Sequence, residues 1–202
     1  MNITRIVTGM IEENCYLVWQ AKELLIIDPG ADAAAIIQAI EKTAAEPKAI
    51  LLTHAHYDHI GAVDQLRDKY QIEVYISPLE NSWLQDPYLN LSSEQNVTAR
   101  PAEHELALRV YTIGSISFRV VATPGHSIGS LSFIFNNFVV CGDALFRGSI
   151  GRTDLYTGNL AQLLNSIQTQ LFILPADFPV YPGHGEPTTI GHEKKTNPFF
   201  NR

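Results

Sequence analysis

The sequence predicts a layered α/β domain, two sheets packed as a sandwich with helices outside, and three observations carry that reading. Short apolar runs of strand length open the chain and return after residue 105, and each block of them gives way to helical periodicity. No internal repeat, low-complexity tract or linker separates the two blocks. With 202 residues, 46% of them apolar and 17% charged, the chain has the composition of one soluble domain with a substantial core, spanning residues 1–202.

Residues 3–8, 15–19 and 24–27 read as strands of an antiparallel meander, each closed by Gly, charged or Asp-Pro-Gly punctuation. Asp32 is placed to cap a helix over 33–40, with Pro47 as its stop, and a buried strand follows over 49–53. Residues 61–70 set Val63 and Leu66 on one face and charges opposite, which predicts a surface helix leading into a strand over 73–76. Between 81 and 105 the apolar pattern weakens and polar residues gather, so a surface insertion is expected. Strands are expected again over 106–113, 116–122, 131–135 and 138–141, with Asn136-Asn137 turning a hairpin. A helix over 160–171 and a strand over 178–181 complete the second block.

Composition excludes several function classes. No apolar run approaches the roughly 18 to 20 residues of a membrane-spanning helix, and the N-terminus enters a strand pattern without a leader, so a cytoplasmic protein with no membrane partner is expected. A formal charge of -7 disfavours nucleic acid as a partner. Cys15 and Cys141 lie far apart in apolar runs and read as free core thiols.

Chemistry concentrates at strand-to-loop junctions. The run His54-Ala55-His56-Tyr57-Asp58-His59 directly follows an apolar strand and offers four potential metal ligands in six residues. Imidazole with carboxylate favours a divalent transition metal, and a tight loop can turn His54 and His56 to one point and Asp58 and His59 to a neighbouring one. Two further junctions, Thr123-Pro124-Gly125-His126 and Tyr181-Pro182-Gly183-His184, each fix one histidine beside Pro and Gly, and a fourth presents Asp143. Counting assigns His54, His56 and His126 to a first metal and Asp58, His59 and His184 to a second, with Asp143 between them. Each metal keeps an open position, the mark of a catalytic rather than a structural site, and metal-assisted hydrolysis is the chemistry that follows.

The segments HAHYDH, TPGHS, CGDALF and YPGHG, in that order over almost the whole chain, resemble those of the metallo-β-lactamase superfamily. Gly142 to Phe146, Gly151-Arg152-Thr153-Asp154, and Pro182 to Gly185 followed by Asn197-Pro198-Phe199 are similar to the short members of the hydroxyacylglutathione hydrolase (glyoxalase II) group. The resemblance implies a four-layer αββα sandwich with a dimetal site along one edge of the sheets. It implies two divalent metal ions, zinc first, with iron or manganese accepted by the same donors. It also implies a small thioester such as S-lactoylglutathione as substrate, a bridging hydroxide attacking the carbonyl carbon, and Asp58 as both ligand and the group that orients the hydroxide. Arg152 stands where the group carries a basic residue for a glutathione carboxylate. Longer glyoxalase II enzymes add a C-terminal helical domain that this chain, ending soon after His184, is expected to lack, which leaves open glutathione or another small thiol as carrier. An iron-dependent persulfide dioxygenase, using His54, His126 and Asp143, is a second reading. A lactam, lactone or phosphodiester hydrolase is a third, and a non-enzymatic metal-binding module a fourth.

Plainer roles stand beside these. His104 and His192 read as surface or satisfied histidines. Asp28 can bond turn amides or support the metal loop. Arg152 can pair with Asp154 or a helix end rather than with substrate, and Tyr156 can contact substrate or simply pack. Lys194-Lys195 reads as a solvated helix face, and Phe199 and Phe200 as an anchor for the tail.

Overall fold

The runs over 15–18 and 24–27 read as unbroken and apolar because both faces of those strands are covered. In the computed structural model, which describes residues 1–201, β1 (Asn2–Thr8), β2 (Glu13–Gln20) and β3 (Glu23–Ile27) form the antiparallel meander. Strands β4 (Glu46–Leu51), β5 (Glu73–Ile76) and β6 (His104–Glu105) then add in parallel to complete a six-stranded sheet in chain order. The helices between them, α1 (Ala33–Thr43), α2 (Tyr57–Ile60) and α3 (Val63–Tyr70), bring Ile36, Ile40, Val63 and Leu66 onto the outer face of that sheet, where Cys15, Leu17, Leu24 and Ile26 meet them. The alternate residues Tyr16, Val18, Leu25 and Ile27 point the other way, into the interface between the sheets.

The second sheet supplies the other side of that interface through Phe118, Val120, Phe133 and Val140. Its strands are β7 (Val110–Ile113), β8 (Ile116–Ala122), β9 (Leu131–Ile134) and β10 (Val139–Gly142). After a small hairpin of β11 (Leu145–Phe146) and β12 (Ser149–Ile150), β13 (Pro179–Pro182) and β14 (Thr188–Thr189) join the sheet, giving the order β14-β13-β10-β9-β8-β7. Helix α4 (Leu160–Ser166), its π-helical extension Ile167–Leu171, and α5 (Ile190–Thr196) cover the outer face with Leu163, Ile167, Leu171 and Ile190. The result is the expected αββα sandwich. No helix among the described residues is long and apolar enough to cross a membrane.

The structure corrects several local expectations. Asp32 precedes α1 in the left-handed region and makes no side-chain cap; its Oδ2 accepts instead from Gly9 N at 2.8 Å, tying the first hairpin to the helix. Ala44, also left-handed, ends α1, while Pro47 lies inside β4, opposite the register shift between Leu24 and Leu25. A bulge is where a strand tolerates a residue with no N–H to donate. The helix expected over 61–70 begins earlier and is split, because Ala62 N bonds Pro29 O rather than continuing the helical ladder. Residues 81–105 are not simply a surface insertion: Trp83, Leu84, Ala99 and Ala102 join the outer core of the first sheet. The polar residues there are buried with partners, Asn90 Nδ2 donating to Val97 O and Ser92 Oγ to Asn90 Oδ1.

Candidate metal centre

Four junctions meet at one edge because the topology points their strands the same way. Strands β8 and β10 are each antiparallel to β9, and β13 is parallel to β10, so the loops leaving β8, β10 and β13 share one end of the second sheet. The loop after β4 joins them there, Leu131 N donating to Thr53 O at 2.8 Å. This gathers all seven ligands expected from the sequence. His54, His56 and His126 form one group, Asp58, His59 and His184 a second, and His54, His59 and Asp143 a third, with ligand atoms in each within 4.8 Å of one another. Asp143 lies between the first two groups: Oδ1 is 3.5 Å from His59 Nε2, and Oδ2 is 3.4 Å from His126 Nε2 and 3.7 Å from His184 Nε2.

The donors fit divalent cations. His56 Nδ1 and His126 Nε2 stand 2.9 Å apart, close to the roughly 3.3 Å between ligand nitrogens of a tetrahedral site with 2.0–2.1 Å bonds. His54 Nε2, His59 Nε2 and Asp143 Oδ1 are buried with no hydrogen-bond partner, a costly state for polar atoms unless a cation receives them.

The surrounding residues fix which ring nitrogen faces inward. Thr53 Oγ1 donates to Asp28 Oδ2 at 2.6 Å and therefore accepts from His54 Nδ1 at 3.0 Å, leaving Nε2 with its lone pair. Asp28 Oδ2 also lies 3.1 Å from His59 Nδ1. Backbone carbonyls do the same for His126, whose Nδ1 faces Arg152 O at 2.8 Å, and for His184, whose Nδ1 faces Ile11 O at 3.2 Å. Both turns need small residues. A Cβ on Gly183 would overlap Asp143 Oδ1 and press on His59, and one on Gly30 would overlap the Asp58 carbonyl.

Several positioning residues escaped the sequence reading. Glu80, fully buried, accepts from Ala55 N and Gly129 N at 2.7 Å each, joining the His54–His56 loop to the loop after His126. Asn14 Nδ2 donates to Pro182 O and Gly185 O, Tyr16 OH to Pro182 O, and Arg5 to Gly185 O, so the first sheet clamps the loop that carries His184. Glu13, also buried, accepts from Thr8 Oγ1 at 2.6 Å beside His59. A lone acid or amide beside an apolar strand was the only signal for Glu13 and Asn14; Glu80 had none.

Electrostatics divide the cluster. Burial and the neighbouring imidazoles hold His54 well below the usual histidine range, and burial with His126 pushes His56 down to about 3, so both are neutral and able to ligate. Burial opposes charge on His59 and His184 too, but the carboxylates of Asp58 and Asp143 outweigh it and raise both. Asp58 and Asp143 are held low despite burial, first by His59. Burial also raises Glu13 and Glu80 above the usual carboxylate range.

The centre opens into a cavity of about 570 Å³ whose walls include Asp58, Phe146, Ile150, Arg152 and Leu155. Arg152 therefore borders the site, but its guanidinium is engaged in a two-point pair with Asp154, both bonds 2.8 Å. Tyr156 does not line this cavity; it packs against Trp83, ring centroids 5.6 Å apart, and borders an adjoining recess with Tyr88 and Leu91. His104 stacks on Tyr75 and pairs with Glu73, and His192 is exposed, so neither joins the centre. Cys15 and Cys141 are free and buried.

Comparison with known proteins agrees with this geometry. The model of the metallo-beta-lactamase superfamily matches residues 9–184. A probable metallo-hydrolase of Streptococcus pyogenes is 44% identical over 100% of this chain and 91% of its own length. The hydroxyacylglutathione hydrolase GloC of Haemophilus influenzae is 36% identical over 100% of this chain and 99% of its own. Among solved structures, the BLEG-1 B3 metallo-beta-lactamase superposes with a TM-score of 0.96 at 45% identity, covering 100% of both chains. TTHA1623 in a di-iron-bound form superposes with a TM-score of 0.87 at 36% identity, covering 97% of this chain and 99% of its own.

Proposed function

The chain is a metallo-hydrolase of the metallo-beta-lactamase superfamily, and we propose that its substrate is a small thioester, S-lactoylglutathione or a related hydroxyacyl thiol. The observation that carries the reading is the pair of ligand groups sharing Asp143 on the wall of an open cavity. Two divalent cations, held by His54, His56 and His126 and by Asp58, His59 and His184, supply an acidified water and a Lewis acid for the carbonyl oxygen when bound. Zinc, iron and manganese all suit this donor set, and the di-iron form of TTHA1623 favours keeping iron among them.

The chain's own residues do the rest. Asp58, with 12% of its side chain exposed, faces the cavity and orients the attacking water by accepting its hydrogen bond, the water's proton passing to solvent. The carbonyl carbon gains the hydroxyl, the carbon–sulfur bond breaks, and the sulfur leaves as thiolate to be protonated from solvent. Phe146, Ile150 and Leu155 exclude bulk water from the reacting bond. Among the described residues Arg152 is the one Lys or Arg lining the cavity, and it meets a substrate carboxylate by exchanging Asp154 for it; Tyr156 borders the outer end of such a substrate.

The resemblance to GloC supports a hydroxyacylglutathione substrate. A second reading, hydrolysis of a lactam by the same attack, is supported by the B3 metallo-beta-lactamase at 45% identity. The test is metal content by elemental analysis together with S-lactoylglutathione turnover on the same sample, beside Asp58→Ala. About two metals per chain with turnover that the variant loses supports the thioesterase. Turnover no greater than that of the variant overturns it, and penicillin opening in the same sample turns the assignment to the lactam.

A further inference from the structure

Beside the metal centre lies a second recess, of about 510 Å³, that the proposed chemistry leaves unused. It shares Ile11, Tyr57 and Asp58 with the catalytic cavity, so the two adjoin beside the second ligand group. Its further walls include Met10, Ala31, Ala62 and Val97. Met10 is wholly exposed and Ile11 about half exposed, both at its rim. Two adjacent apolar side chains left in water, beside a reactive centre, are surface that gains free energy when an apolar group covers them.

The charge of the two spaces bears on what that group is. Among the described residues no Lys or Arg lines the recess; the carboxylates there are Asp58, already in the metal centre, and Asp32, which is bonded to Gly9 N. Among the described residues lining the catalytic cavity the single such cation, Arg152, is neutralised by Asp154 at two points. A multiply anionic thiol carrier thus finds no unpaired Lys or Arg among the described residues lining either space. Nor does a lactoyl group, with three carbons, reach far enough from the reacting bond to fill the recess.

We propose that the preferred substrate carries an uncharged, apolar arm of at least four carbons that lies in the recess between Met10, Ile11, Tyr57, Ala31 and Val97. The proposal rests on the thioester-hydrolase reading and, within it, replaces S-lactoylglutathione as the preferred substrate by a thioester with such an arm. The arm belongs to the acyl or to the thiol side of the scissile bond, and two homologous series separate these sources. One lengthens the acyl group of N-acetylcysteamine thioesters from acetyl to hexanoyl; the other lengthens the thiol of acetyl alkanethiol esters from ethyl to hexyl.

In one series kcat/KM rises at least tenfold from the shortest to the longest member, since each fully buried methylene is worth about fourfold. Ala31→Phe fills the recess and reduces that ratio to near unity. Gln65→Trp, at an exposed position on its wall, does the same with little strain on the fold. Ratios that are flat with chain length, or that rise and are untouched by both substitutions, overturn the proposal. Binding of the non-hydrolysable S-hexyl and S-methyl thioethers of N-acetylcysteamine, measured calorimetrically on metal-loaded protein, decides it without turnover. A tenfold preference for hexyl that both variants abolish supports the recess even where no thioester is cleaved; equal affinities overturn it. Absence of thioester hydrolysis alone counts against the thioesterase reading.

Discussion

The two sheets contribute to the centre in opposite styles. The first delivers His54, His56, Asp58 and His59 from one continuous loop and helix start, whereas the second delivers His126, Asp143 and His184 from three separate loops. Local chain geometry does most of the positioning in the first case. In the second, the parallel alignment of β8, β10 and β13 brings the loops to one edge, and residues from elsewhere hold each in place. The loop of His184 is gripped almost wholly from the other sheet, by Asn14, Tyr16 and Arg5, with Asn14 N also donating to Gly183 O at 2.7 Å. A dense ligand loop sets most of its own geometry, and dispersed ligands make the fold itself part of the site.

The largest effect comes from the dense loop, where a single change removes ligand and water-orienting group together. Asp58→Asn keeps the volume and abolishes the negative charge beside His59 and His184; kcat falls about 10²–10⁴-fold while the unfolding transition stays cooperative, as steady-state kinetics and thermal melts would read. The dispersed side breaks at its turn instead. In Gly183→Ala the added methyl displaces Asp143 from His59, and a misplacement on the order of 1 Å costs about 100-fold in rate. Metal content falls with it. Retention of full activity would mean that the two halves do not converge as described.

The same contrast governs what was legible in the sequence. HAHYDH is visible because four ligand types crowd six residues, and the two Pro-Gly-His turns because restricted residues flank the histidine. Strands buried on both faces read as apolar runs, and so the layers were legible as well. What escaped were long-range polar contacts made by single residues. Glu80 lies 25 residues from the amide it bonds at Ala55, and Asn14 lies 168 from Pro182. The pattern from 81 to 105 misleads for a related reason: its polar residues satisfy one another inside the fold, so polarity there does not mean exposure.

Those hidden contacts offer intermediate effects, one where the two halves are joined and one at the His184 loop. Glu80→Ala strands two buried amides, each worth about 1–3 kcal/mol when left unpaired, and lowers both melting temperature and metal affinity. Asn14→Ala removes donors only from the His184 loop, so its expected loss is smaller in stability and confined to metal retention, about tenfold. If competition with a chelator finds the two variants equally impaired at both metals, the division of labour between the sheets is wrong.

The smallest expected effect is a silence shared by both halves. Each sheet buries one thiol, Cys15 in β2 and Cys141 in β10, behind apolar packing. Burial raises Cys15 well above the usual thiol range and pushes Cys141 up to about 12, leaving almost no thiolate at pH 8. Neither reacts with a disulfide reagent in the native protein, and both react at once after unfolding. The sign of the linkage follows from the same shift. Above pH 9 an unfolded chain releases thiol protons that the folded chain retains, so stability is full below that point and declines as pH rises toward about 12. Cys141→Ala removes that alkaline slope at the second sheet and leaves the contribution of Cys15 in the first, which separates the two by denaturant melts at pH 8 and pH 10.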